Sequence, residues 1–226
     1  MRLALPLVAV LALIALSACG GGDDAEPVAL AQRVVGEAEA PGSKADPVET
    51  RQTTVDLEEF IGVLHERAVD PDTDELRDVF TEAGFEAAII DARFYGETHS
   101  PDSPHVFSSA IQLQSEQGAE SALEWFAADS MKPCPHTCAV RISEFEVDDI
   151  PDARGVHRSQ SAEDIEAVGT ANDVPFDSYE VLFADGPFVY TVAVSGPPGS
   201  GTEAQVTDIA RAVHERITGA PPPSDS

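Results

Sequence analysis

The sharpest chemistry in this sequence is Cys134-Pro135-His136-Thr137-Cys138, two thiols separated by three residues. As thiolates, with an imidazole from His136 or the distant His157, they suit a soft ion such as Cu(I). Oxidised to each other, they close a short loop that stabilises a fold by only about 2 kcal/mol on the chain-entropy estimate. A second group is Glu97, His99, Asp102 and His105, all in one polar loop. His, Asp and His at spacings of three could gather around zinc or another divalent ion, with a carboxylate helping. Ser100-Pro101 and Ser103-Pro104 restrict the backbone of that loop. Polar residues between two strands are ordinarily just solvated, so no metal is favoured at either place.

The cysteine spacing resembles the Cys-x-x-x-Cys of the Sco-type copper proteins, a likeness that implies copper or thiol-redox work. In that family the motif lies between a strand and a helix; here it follows a helical pattern and precedes a strand. Asp70, Asp72 and Asp74 resemble the start of an EF-hand calcium loop, but Glu75 stands where the turn needs Gly and Thr81 where the bidentate Glu belongs. Capping of the next helix by Asp72, Thr73 or Asp74 accounts for the same residues. The run Gly196-Pro197-Pro198-Gly199-Ser200-Gly201 has no following Lys and reads as a connection, not a phosphate cradle. No Gly-x-Ser-x-Gly elbow occurs. The acids Glu144, Glu146, Asp148 and Asp149 belong to a chain too rich in carboxylates to nominate a dyad. Trp125 reads as a partly buried helix residue, with a ligand platform as the alternative. No catalytic residue and no cofactor follow from any of this, so the reading is non-enzymatic.

Which oxidation state Cys134 and Cys138 adopt depends on compartment, and the amino end speaks to that. Met1-Arg2 precedes the uncharged run Leu3 to Leu16, a pattern of secretory signals and too short for a spanning helix. It ends in Leu16-Ser17-Ala18-Cys19, which resembles the lipobox of bacterial lipoproteins. The resemblance implies cleavage before Cys19, a diacylglyceryl group on its sulfur, palmitate-like acyl chains, and residence on the extracytoplasmic face of the cell membrane. Two or more acyl chains anchor stably where one does not. With Cys19 lipidated, Cys134 and Cys138 are the remaining thiols, and outside the cytoplasm such a pair is most simply a disulfide.

The net charge is −28, with Lys44 and Lys132 the two lysines. Such a surface repels nucleic acid, whose binding needs clustered Lys and Arg. The partners left are the membrane, through the anchor, and a small-molecule or protein ligand.

The elements that must position these groups lie between two polar ends. Residues 1–18 are the signal peptide; residues 19–52, rich in Gly, Ala, Pro, Asp and Glu, read as a disordered stalk, with a weak helix through Ala29–Val35 as the alternative within it. Residues 53–218 form one domain and 219–226 a tail. Apolar residues at helical spacing mark 56–67, with Thr54 as N-cap, then 74–83 closed by Gly84, and 116–128, with 203–217 capped by Thr202. Alternation marks strands 85–95, 106–114, 139–147, 155–159, 179–183 and 188–194, the last two joined through Asp185-Gly186. The expected fold is α+β: an antiparallel sheet with helices packed on one face, built of two strand-strand-helix units that suggest a duplication. It is loosely similar to sheet-and-helix domains of actinobacterial lipoproteins and extracytoplasmic sensor modules, which implies a tethered binding or sensing domain.

Overall fold

The computed structural model describes residues 29–45, 53–54, 56–67, 73–96, 103–132, 140–168 and 174–219. A short 3-10 turn, Leu30–Gln32, comes first. Strands β1 (Lys44–Ala45) and β2 (Thr53–Thr54) lead to helices α1 (Leu57–Arg67) and α2 (Thr73–Ala83). Next come β3 (Phe85–Phe94), β4 (His105–Leu113), α3 (Glu116–Ser130), β5 (Arg141–Phe145), β6 (Arg154–Gln160) and α4 (Ala162–Val168). Strands β7 (Phe176–Asp185) and β8 (Phe188–Gly196) and helix α5 (Glu203–Thr218) complete the order. Among the described residues, no helix is long and apolar enough to cross a membrane.

The class is α+β around one antiparallel sheet, ordered β1-β3-β4-β8-β7-β6-β5 with β2 also pairing β3. Local chemistry sets the element ends. Ser115 and Thr202 accept hydrogen bonds from Gly118 N and Gln205 N as N-caps, each at 3.1 Å. Helix α1 is capped by Asp56, whose Oδ1 accepts from Glu58 N and Glu59 N, while Thr54 bonds Asp56 instead. The β7–β8 hairpin turns on Gly186-Pro187, with Asp185 already paired to Phe188. Gly186 has φ 53°, the value a type II′ turn requires at its first central position.

Helices cover both faces of this sheet rather than one. Along β7, Val181 and Phe183 pack in the cluster that holds Val206, Ile209 and Val213 of α5. Leu182, between them, packs with Ala119 and Leu123 of α3 and with Phe60 and Phe80 of α1 and α2. Successive strand residues point to opposite faces, so α5 lies on one side and α1, α2 and α3 on the other. The two strand-strand-helix units do share the sheet, through β4 and β8. A two-fold axis relating those antiparallel neighbours would stand normal to the sheet and put both helices on one face. The units are therefore not symmetric copies.

Both faces need cover because β3 is buried from Ala87 to Phe94 without interruption. Part of that cover comes from residues 29–45, placed in the stalk by composition. Val34, Val35 and Ala40 are buried in the α5-side cluster. Val35 N donates to Ser108 Oγ at 3.0 Å, and Arg216 reaches Glu39 Oε1 at 2.6 Å and Val34 O at 3.0 Å. Arg93 Nε donates to Ser43 Oγ at 2.9 Å. Burial pushes the Glu39 carboxyl up, but Arg216 and the Gly36 N–H outweigh it and hold it below its ordinary value. The folded unit thus begins before residue 53. Two valines and an alanine are too few to show a period, which is why composition hides them.

Arg33 of this strap donates to the Tyr190 hydroxyl, and its guanidinium lies 3.8 Å from the Phe188 ring centroid. Burial pushes Tyr190 up to about 12, with Arg33 pulling the other way. A raised folded-state value favours folding below the unfolded value, near 10, and that advantage is lost as pH rises towards 12. The unfolding free energy from urea titrations should accordingly fall between pH 10 and 12, by up to roughly 2–3 kcal/mol from this group. Tyr190→Phe should keep only the shallower decline owed to Tyr95 and Tyr179, both also raised by burial, and to Lys132, raised by hydrogen bonds to Asp129 and Glu75. An identical pH profile in the variant would remove the assignment.

Candidate functional site

On the face covered by α1, α2 and α3, the sheet has an apolar end and a polar end. Ile111, Leu113, Leu182 and Val189 fill the apolar end beneath the first half of α3. The same strands then carry small or polar residues at inward positions: Ser109 on β4, Thr191, Ala193 and Ser195 on β8, Ser178 on β7. These side chains are too short to reach the second half of α3. The unfilled space is a cavity of about 300 Å³, at the small end of the range for small-molecule sites, roughly 300–1,000 Å³. Leu64 of α1, Leu76 of α2 and Phe107, Trp125 and Phe126 form its apolar walls.

Charged groups close one side. Arg158 on β6 donates through Nε and Nη2 to the Ser130 carbonyl at 3.2 and 3.1 Å, capping the last turn of α3. Its Nη1 lies 3.5 Å from Glu180 Oε2, which also accepts from Ser130 Oγ at 3.2 Å. Ser178 and Ser195 share a hydrogen bond of 2.7 Å across β7 and β8. Trp125, in the cavity wall, donates through Nε1 to Glu75 Oε1 at 3.0 Å. The Lys132 ammonium stands 5.6 Å from the Trp125 ring centroid and 3.1 Å from both Glu75 Oε2 and Asp129 Oδ1. Hydrogen bonds from Asp129 and Glu75 hold Lys132 above its ordinary value.

Of the residues singled out by type and spacing, few fall where they can be placed. Cys19, Cys134, His136 and Cys138 lie outside the described residues, as do Glu97, His99, Asp102, Asp70 and Asp72. His105 is described. It opens β4, lines the cavity, and lies against Phe94 with ring centroids 5.4 Å apart. Among the described residues no three His, Cys, Asp or Glu side chains converge as metal ligands. Asp74 instead accepts from Arg77 Nη1 at 2.6 Å. His157 stacks on Tyr179 at 4.2 Å and stands 3.4 Å from Asp177, on the α5 face and away from the cavity. Glu144, Glu146, Asp148 and Asp149 are exposed.

Sequence reasoning missed Arg158, Glu180 and the hydroxyl floor. The signal was present at two positions. Ser109 and Thr191 interrupt the inward apolar alternation of β4 and β8, and both are buried. A polar residue at a core position of a strand marks either a hydrogen-bonded pair or a lined cavity. Trp125 does stand at the cavity wall, where the platform reading of it would need it.

No family model matches this chain, and no curated protein matches it. Among solved structures the chain is similar to the extracellular domain of PknH from Mycobacterium tuberculosis, with 14% identity and a TM-score of 0.48, over 84% of this chain and 98% of that one.

Proposed function

We propose that this chain is a bacterial lipoprotein, held by acyl chains on Cys19 at the extracytoplasmic face of a membrane. Its α+β domain binds or senses a small molecule, or a side chain of a protein partner, without transforming it. The observation that carries the binding half is the cavity beneath α3, which joins aromatic and aliphatic walls to a floor of hydroxyls and a fixed ion pair. Apolar walls with a few placed polar groups suit a bound organic molecule. The anchoring half rests on the lipobox resemblance of residues 16–19 and the apolar run before it. Cys134 and Cys138 belong to this reading as a disulfide, since they are the two thiols left once Cys19 is lipidated.

Trp125 is the one tryptophan in the chain, so its fluorescence reports cavity occupancy without interference. Titrating the wild-type domain with a small-molecule extract of host cell envelopes should give a saturable shift. Ala193→Phe should abolish that shift while leaving the urea midpoint nearly unchanged, because the added ring projects into the cavity rather than into packed core. The bound compound should be recovered intact. An equal response in Ala193→Phe would overturn the binding half. Mass spectrometry of the mature protein without acyl chains on Cys19 would overturn the anchoring half, and two freely labelled native thiols would remove the disulfide.

A further inference from the structure

The cavity's lining also selects among ligand charges. We propose that it takes an organic cation, an ammonium group carried on an aromatic or aliphatic body, and that the Lys132 ammonium is its built-in competitor; this rests on the cavity-binding reading above.

Three features converge. Asp129 and Glu180 line the cavity; Arg158 is held by the Ser130 carbonyl and paired to Glu180, which leaves Asp129 as the lining's excess negative charge. Trp125 lines the cavity, and an ammonium already stands over its ring at 5.6 Å, within the roughly 6 Å reach of a cation–π contact. That ammonium is held by Glu75 and Asp129, so the chain displays on itself the cradle a free ammonium would use. Lys132 is 51% exposed and sits on a flexible stem, so it can swing into solvent and yield the place. The walls formed by Leu64, Leu76, Phe107 and Phe126 then accept the ligand's apolar body. The net charge of −28 favours approach of cations over anions.

The test uses three probes that share one body: phenylbutylamine, phenylbutanol and phenylbutyrate. Each is titrated against wild type, Lys132→Met and Lys44→Met, with Trp125 fluorescence as the readout. Lys44→Met removes the same unit of charge from β1, at the end of the sheet order and outside the cavity lining. The amine should bind wild type about tenfold more tightly than the alcohol, with the carboxylate weakest. Lys132→Met should tighten amine binding a further fivefold or so, whereas Lys44→Met should change it by less than about twofold. An amine no tighter than the alcohol overturns the cation assignment and leaves the cavity reading standing. Equal tightening in both lysine variants overturns the competitor role, because net charge alone would then explain it. Failure of all three probes to shift Trp125 in any protein sinks the cavity reading and this inference together.

Discussion

Val35→Asp should destabilise the domain by about 3 kcal/mol or more, whereas Ala38→Asp, three residues on, should change stability by less than about 0.5 kcal/mol. Val35 is fully buried against the sheet, beside Val34 and below α5; Ala38 is exposed. A carboxylate at position 35 would need either to be buried without a partner or to lift the strap off. Lifting it opens the sheet face around Ile89, Val106 and Ala110, and it uncovers Asp91, which is 0% exposed with Arg93 Nη1 at 3.8 Å. Arg216 would lose Val34 O and Glu39 at the same time. Urea denaturation of the two variants decides the matter. Equal, small effects would mean that the segment is a stalk after all. The outcome bears on placement too. With lipid on Cys19 as proposed, a domain beginning at Ala29 can stand no more than about 35 Å from the anchor, against about 120 Å for a free stalk to residue 53. A cavity on a closely held domain samples molecules at the membrane surface rather than in bulk.

The strap illustrates why some of this fold was legible in the sequence and some was not. Helices α3 and α5 and strands β3, β4 and β8 are long enough for their periods to repeat, so their types and approximate ends follow from the spacing of apolar residues. The seven-residue helix α4 offers barely two turns, and its apolar positions do not repeat. Which face a helix covers is a different question. Alternation in β3 put Ala88, Ile90, Ala92 and Phe94 on one side correctly. Ile89 and Asp91 are nonetheless just as buried on the other, because the strap and α5 supply a second layer from distant sequence. The cavity was hidden for a related reason. Its polar groups come one or two at a time from β4, β6, β7 and β8, so no local spacing unites Ser109, Arg158, Glu180 and Thr191. Spacing finds sites built within one loop; it is blind to sites assembled across a sheet.

Phe80→Ala should cost about 3–5 kcal/mol and weaken binding in the cavity, although Phe80 does not line it. Its ring is fully buried and meets Phe60 edge-on at 5.3 Å, Phe126 at 5.6 Å and Phe85 at 6.1 Å. Truncation leaves a void where α1, α2 and α3 converge, and the lost area and edge-to-face contacts add to the cavity cost. Phe126 is the one member of this cluster that also forms the cavity wall. Released from Phe80, it can turn inward and occupy the space a ligand would use, or let Trp125 drift from Glu75. Urea denaturation and the Trp125 titration, run on the same protein well below its unfolding midpoint, should therefore show both losses together. Ala193→Phe provides the contrast, with binding lost and stability kept. A Phe80→Ala protein that is destabilised yet binds as tightly as wild type would show that the wall keeps its shape without the aromatic cluster behind it. A loss under about 1 kcal/mol would mean the cluster is not the core of this helical layer.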